Sequence, residues 1–304
     1  MNVTLTGATG LIGSKLVRAL RDRGDTLTVL SRSPDKARAA LGVEAVAWDP
    51  LAGPAPAAAL RGRDAVVHLA GEPVAQRWND DVKRAIRDSR EIGTRHLVEG
   101  LKAAGADGPR TLVSSSAVGY YGKHGEERVP ESAPPGDDFL AGVCVAWERE
   151  AHAATALGAR VVHIRTGVVL DQDGGALKTM LPPFKLGAGG PVAGGRQYLP
   201  WIHVDDLVAL YLRALDDDSW SGAYNGSAPE PVTNKAFSKA LGKALHRPAV
   251  APVPGFALRL LYGDMAEIVT EGQRAVPERA LAGGFRFGHP GLAEALDSAL
   301  GRRP

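Results

Sequence analysis

The chain is almost without sulfur chemistry. One cysteine, Cys144, stands among 304 residues, which excludes an intrachain disulfide and a cysteine-based structural zinc site. Such usage fits a reducing compartment, so the expected location is the cytoplasm, and no metal is expected. An excess of charge is also missing. Thirty-six Lys and Arg face 34 Asp and Glu, a formal net charge of +2, and the basic residues are scattered. Nucleic acid is therefore not an expected partner. No run of about 18 apolar residues occurs, so no membrane span is expected. A first strand beginning near residue 3 leaves no space for a leader peptide. What is left is the composition of an ordinary soluble protein, 44% hydrophobic and 23% charged. Its length suits one large domain, or one domain with a smaller lobe.

The informative stretch is the first. Val3-Thr4-Leu5-Thr6 reads as a β-branched strand, and Gly7-Ala8-Thr9-Gly10-Leu11-Ile12-Gly13 follows at once. Beyond it Leu16, Val17 and Leu20 take helical spacing. Strand, glycine turn and helix open a dinucleotide-binding βαβ unit. Gly7 permits the tight turn, Gly10 lets backbone N–H groups meet a pyrophosphate, and Gly13 lets helix and strand pack closely. The helix N-terminus adds partial positive charge. A second strand, Thr26 to Leu30, ends in Ser31-Arg32, where an acidic residue would select NAD. A hydroxyl and a guanidinium instead suit the 2′-phosphate of NADP(H).

Further strands are expected at Val43–Trp48, with Trp48-Asp49 at the adenine edge, and at Asp64–Leu69. The small Ala70 and Gly71 close the latter and admit a cofactor; His68 within it reads as a packed core histidine. A helix from about Asp80 to Ala103 carries Arg90. A fifth strand opens at Thr111 and ends in Ser114-Ser115-Ser116, followed by Tyr120-Tyr121. After Val161–Arg165 and Thr166–Leu170 the strand–helix alternation fails. Leu181–Phe184 and the glycine-rich stretch from Gly187 to Gly195 are expected to form a long substrate-side loop. Asp205 is expected to cap a helix after Trp201-Ile202-His203.

These residues together resemble the extended short-chain dehydrogenase/reductases. Gly7-x-x-Gly10-x-x-Gly13, Asp64-x-Val66-x-His68-Leu69-Ala70, Ser114-Ser115-Ser116 and Ile202-His203-Val204-Asp205-Asp206 fall in that family's order. His68 to Pro73, Arg77-Trp78-Asn79, Arg165 to Leu170 and Pro200 to His203 resemble one branch, the "epimerase family" proteins. The part from Thr233 to about Leu296 is similar to that branch's C-terminal domain of unknown function. The resemblance implies an α/β fold, a Rossmann doubly wound parallel sheet over residues 1–228 with 166–199 on the substrate side, and a smaller C-terminal substrate lobe over 229–304. It implies binding of NADP(H), with Gly7, Thr9, Gly10, Leu11, Ile12, Gly13, Ser31, Arg32, Trp48, Asp49, Leu69, Ala70, Gly71, Arg90, Ser114 and Val169 as cofactor residues.

The superfamily's chemistry rests on a serine and a Tyr-x-x-x-Lys pair. Ser116 takes the serine slot here. Counting back from Glu148, however, Leu140 holds the tyrosine position and Cys144 the lysine position. The expected proton donors are therefore Ser116 with Tyr121, and second Glu72, at the carboxyl edge of the fourth strand. A Ser115–His203–Asp205 hydrolase lacks the Gly-x-Ser-x-Gly elbow. Two readings of function follow. One is an NADP(H)-dependent oxidoreductase or nucleotide-sugar-epimerase-like enzyme acting on a small polar molecule, with a homodimer left open as its assembly. The other is a non-catalytic NADPH sensor that kept the fold and lost the pair.

Overall fold

The computed structural model describes residues 1–302; residues 303 and 304 of the expected C-terminal lobe lie outside the described residues. In chain order, β1 (Asn2–Thr6) leads through the glycine turn into α1 (Leu11–Asp22), and β2 (Thr26–Ser31) into α2 (Pro34–Leu41). β3 (Glu44–Ala47) and β4 (Ala65–His68) precede the long α3 (Asp80–Ala104). Then come β5 (Thr111–Ala117), the short β6 (Arg128–Val129), α4 (Phe139–His152), β7 (Arg160–Thr166) and β8 (Val168–Leu170). α5 (Gly175–Lys185), β9 (Tyr198–Leu199), β10 (Trp201–His203), α6 (Val204–Asp216) and β11 (Gly222–Gly226) follow. The remainder holds β12 (Val232–Thr233), α7 (Asn234–Leu245), α8 (Gly255–Tyr262), α9 (Ala266–Thr270), β13 (Arg274–Ala275), α10 (Glu278–Ala282) and α11 (Leu292–Ala299).

Seven strands form one parallel sheet in the order β11-β7-β5-β4-β1-β2-β3. The order reverses between β1 and β4, and a crevice opens there at the carboxyl ends. This is the Rossmann arrangement. Val3, Leu5, Val66, Val67 and Val113 are buried to within 1%, as strands covered by helices on both faces require. The long α3 starts where Asn79 accepts a hydrogen bond from Val82 N–H at 2.8 Å, with Asp80 and Asp81 in its first turn.

The C-terminal part is not a free-standing lobe. One apolar core is shared by Leu170, Leu177, Leu181, Phe184 and Trp201 with Phe237, Leu241, Leu296 and Ala299. Phe285 and Phe287 then return to pack on the core of the main sheet. This shared core explains one departure from the sequence reading. Leu181–Phe184 is the last part of α5, which runs through Pro182 and Pro183. Burial of Leu177, Leu181 and Phe184 on one face outweighs the backbone bonds the prolines lose. A second departure is at α6, whose cap is His203: its Nδ1 accepts from Asp205 N–H at 3.2 Å, and Asp205 lies in the first turn.

His68 is fully buried in β4, as a core residue. Thr6 Oγ1 is 2.7 Å from its Nδ1 and Thr94 Oγ1 is 3.0 Å from its Nε2. Thr6 Oγ1 already accepts from Leu69 N–H and Ala70 N–H, each at 3.2 Å. It therefore donates to His68 Nδ1, which places the ring proton on Nε2, toward Thr94. Burial, then the nearby Arg90 charge, holds the pKa of His68 down to about 4. Burial also holds His163 down to about 4.

A histidine that stays neutral in the folded state while the unfolded chain protonates near 6.5 stabilises nothing above that pH. Stability is lost as pH falls from about 6.5 toward 4, by at most about 1.4 kcal/mol per pH unit for each such group. Unfolding free energies from urea titrations at pH 7.5, 6 and 5 should fall in that order. The His68→Gln chain should show a shallower fall; an unchanged slope would show that His68 is not a contributor.

Candidate functional site

Two adjoining cavities lie along the crevice. The larger, about 660 Å³, runs from Gly7–Gly10 past Ser31, Arg32 and Lys36 to Trp48 and Asp49, with Leu69–Gly71 on its other wall. Its geometry follows from the glycine turn. Gly7 has φ +66°, and a Cβ there would lie 2.6 Å from the Leu69 carbonyl. At Gly13 a Cβ would lie 2.4 Å from Gly7 O. At Gly10 a Cβ would meet only Gly7 O, at 3.3 Å, and otherwise points into the groove. The first two glycines are thus demanded by the protein's own packing, and the third leaves space for something else.

Helix α1 begins at Leu11, and its first bond to the loop is from Ser14 N–H to Gly10 O. The N–H groups of Leu11, Ile12 and Gly13 precede that bond and are the unsatisfied donors of the helix start, suited to a phosphate. Arg32 is exposed on the groove wall and Ser31 is half-buried. Ser33 and Lys36 line the same wall, and neither was expected. Lys36 lies in the first turn of α2, which follows directly on Arg32 and Ser33. Trp48 is buried and donates from Nε1 to Gly53 O at 3.0 Å, which fixes its ring at the groove's edge.

The second cavity, about 330 Å³, lies next to the first: Pro73 and Ser89 line the larger one, and their chain neighbours Val74 and Arg90 line this one. α4 supplies one wall. Asp138 caps it by accepting from Ala141 N–H at 2.9 Å, and Leu140, Cys144 and Trp147 then succeed each other on one face. Ser115, Ser116, Thr166 and Val168 form the strand side, and Glu267, Ile268 and Gln273 close it from the C-terminal part. Arg90 reaches in from α3. Its Nη1 donates to Glu72 O at 3.0 Å and Ile86 O at 3.2 Å, and its Cζ lies 5.0 Å from the centroid of the Trp147 ring. Among the described residues it has no carboxylate partner.

Beneath this cavity lies a buried ion pair between two motif residues whose pairing the sequence did not show. Arg165 donates from Nε and Nη2 to both oxygens of Glu148, each at 2.8 Å. Burial acts to raise the Glu148 pKa, but the Arg165 hydrogen bonds and charge outweigh it and the net shift is downward. The carboxylate also receives the Ser116 hydroxyl at 2.6 Å. Arg165 Nη1 donates to the Tyr121 hydroxyl at 2.9 Å, and Tyr121 donates to Asn225 Oδ1 at 2.7 Å.

These contacts revise several expectations. Tyr121 is 1% exposed and lies outside both cavities; its hydroxyl is committed to Arg165 and Asn225, and burial pushes its pKa up to about 12. It does not face the crevice as a proton donor. Ser116 does line the cavity, but its proton points to Glu148. Glu72 lies on the wall of the larger groove, its carboxylate accepting from Gln76 Nε2 at 3.2 Å. Strand alternation turns Val168 to the cavity and sends Val169 into the main core. Ser114 is likewise fully buried, bonded to Ser115 O. Arg90 lines the second cavity rather than the groove. Cys144 is buried there, and burial, then Glu148, pushes its thiol up to about 12, so it is no nucleophile. Among the described residues Ser115 makes no hydrogen bond to His203, its hydroxyl pointing to Ser116 O, so Ser115, His203 and Asp205 form no triad.

The sheet order, the glycine turn and the crevice at the switch point define a nucleotide-binding short-chain dehydrogenase/reductase-type protein. The chain belongs to the NAD dependent epimerase/dehydratase family, whose model matches residues 3–225; a second model, a domain of unknown function (DUF1731), matches 253–299. It is 42% identical over 302 residues to the epimerase family protein SDR39U1 homolog, chloroplastic, of Arabidopsis thaliana, covering 99% of this chain and 87% of that one. The crystal structure of human epimerase family protein SDR39U1 (isoform 2) with NADPH superposes with a TM-score of 0.88 at 34% identity, over 100% of both chains. The nucleoside-diphosphate sugar epimerase from Corynebacterium glutamicum superposes at 0.78 and 35%, over 99% of this chain and 58% of that one.

The glycines make a separable test. Gly7→Ala strains a left-handed position against backbone and should lower the thermal midpoint markedly. Gly10→Val should leave that midpoint nearly unchanged and abolish dinucleotide binding in calorimetry. Full binding by Gly10→Val would show that the loop is only a turn.

Proposed function

We propose that the protein binds NADP(H) in the larger groove and acts as an oxidoreductase, epimerase-like in architecture, on a small polar substrate in the second cavity. The adjacency of the two cavities carries this reading: a dinucleotide whose pyrophosphate meets Gly7–Gly10 would run along residues 69–74 toward Ser116 and Arg90. The NADPH in the human SDR39U1 crystal structure supports the cofactor. So does the groove itself, with open space at Gly10 and the cations Arg32 and Lys36 where a 2′-phosphate would sit.

When bound, the nicotinamide supplies hydride transfer. The protein supplies position and charge. Neither Tyr121 nor Cys144 titrates near neutrality, so neither serves as the base that oxidation needs. Arg90 remains charged although burial lowers its pKa. A fixed guanidinium with no carboxylate partner stabilises an oxyanion that develops during carbonyl reduction. Ser116, its proton given to Glu148, offers a lone pair that orients a substrate donor. The alkoxide held by Arg90 then takes its proton from solvent water.

A sensor that binds NADPH without turnover is the second reading, favoured by Leu140 and Cys144 on the wall where the usual pair would stand. Single-turnover NADPH oxidation with a panel of carbonyl compounds separates the two. Arg90→Gln should slow the reaction by about 10²-fold. Tight NADPH binding with no oxidation by any compound would reject the enzyme reading in favour of the sensor.

Cofactor choice gives an independent outcome. NADPH should bind more tightly than NADH, and Arg32→Ala should narrow the difference by about 1.5–3 kcal/mol. Equal affinities of the unmodified protein for both, measured by calorimetry, would remove the 2′-phosphate assignment.

A further inference from the structure

Away from both cavities, the C-terminal segment meets the start of α6 at a pair of histidines. His203 ends β10 and His289 follows the turn after Phe287; their ring centroids are 3.9 Å apart with planes tilted 36°. His203 is 3% exposed and His289 half-buried. The pairing is held from outside the rings. Asp206 accepts from Gly288 N–H at 2.6 Å and from His289 N–H at 3.0 Å, so the backbone carrying His289 is fixed to α6. Of the two imidazoles only His203 is held, by Asp205 N–H donating to its Nδ1 at 3.2 Å. Among the described residues, His203 Nε2 and His289 Nδ1 are both buried and both lack a hydrogen-bond partner. Two orphaned imidazole nitrogens at one contact are costly, and native structures seldom retain them without a ligand.

Asp205 completes the group. Its Oδ2 is 3.7 Å from His203 Nδ1, and its side chain is 69% exposed. One ligating atom from each of His203, Asp205 and His289 lies within 4.8 Å of the others. We propose that these three residues form a binding site for a divalent metal ion of the zinc class, which clips the C-terminal segment to the first turn of α6. Two imidazoles and one carboxylate are a donor set that zinc accepts, with water as fourth ligand. Tetrahedral zinc with bonds of about 2.0–2.1 Å sets its ligand atoms about 3.4 Å apart. The three must therefore draw together by up to about 1.4 Å, and the exposed Asp205 is free to move. Asp206 acts behind them, orienting His289 through the backbone as outer-shell carboxylates do.

The site is structural rather than catalytic, because neither histidine lines the groove or the second cavity. Its consequence is mechanical. His203 pairs with Leu170 at the end of β8, whose Val168 lines the second cavity. An ion here ties residues 285–291 to that strand pair.

The test uses the full chain after dialysis against a chelator, titrated with ZnCl₂ in calorimetry and thermal unfolding, with Co(II) absorption as a coordination probe. One equivalent of Zn(II) should bind and raise the thermal midpoint. His289→Gln and Asp205→Asn, at half-buried and exposed positions, should each weaken binding by about tenfold or more and lose the shift. NADPH affinity should be unchanged in both, which separates this site from the cofactor groove. No stoichiometric Zn(II) binding by the unmodified chain would overturn the proposal. So would either variant binding Zn(II) as the unmodified chain does, since the ion would then sit on other histidines.

Discussion

The close approach of the Gly7 backbone to that of Leu69–Ala70 is the constraint on which the crevice depends. A side chain at residue 7 would stand 2.6 Å from the neighbouring carbonyl, so β1 and β4 can end side by side only with glycine there. Thr6 closes the same junction from below, giving its proton to His68 and receiving Leu69 and Ala70 N–H. His68 in turn reaches Thr94 on α3. Strand, loop and helix are thus registered to one another by one buried chain of hydrogen bonds. The mouth of the groove is rigid before any ligand enters it, which lowers the ordering cost of binding.

A second buried assembly shapes the other cavity. The Arg165–Glu148 pair costs much desolvation and is sustained by the groups that saturate it: Ser116, Tyr121 and Glu131 O. Removing one partner of such a pair strands a buried charge, at about 3–5 kcal/mol. Glu131 extends the network, accepting from Asn225 N–H and Arg279 N–H. The tyrosine and serine beside the cavity therefore serve this scaffold first. With Leu140 and Cys144 flanking them, Arg90 faces the same cavity without a carboxylate partner among the described residues, whereas Lys123 on its wall is paired with Glu271.

The sequence was most legible where local chemistry decides conformation. Gly7-x-x-Gly10-x-x-Gly13 after a β-branched strand, and Ser31-Arg32 ending the next, could be placed because turn geometry and strand polarity act over a few residues. Asn79 before two aspartates marks a helix start for the same reason. Pro182 and Pro183 misled, because their helix is held by Phe237 and Leu296, far away in the chain.

The sequence by itself determined the doubly wound fold, the groove and the absence of the usual tyrosine and lysine, since these rest on periodicity, on glycine's lack of a side chain and on residue identity. Only the tertiary structure decided which way each polar group points. Tyr121 and Ser116 sit in sequence beside the expected chemistry, yet Arg165 and Glu148, brought from β7 and α4, claim their hydroxyls. His203 and His289 are 86 residues apart and meet because Phe285 and Phe287 pack back on the main core. Partners of that kind are fixed by long-range burial, where the energy of a contact depends on what folding happens to place around it.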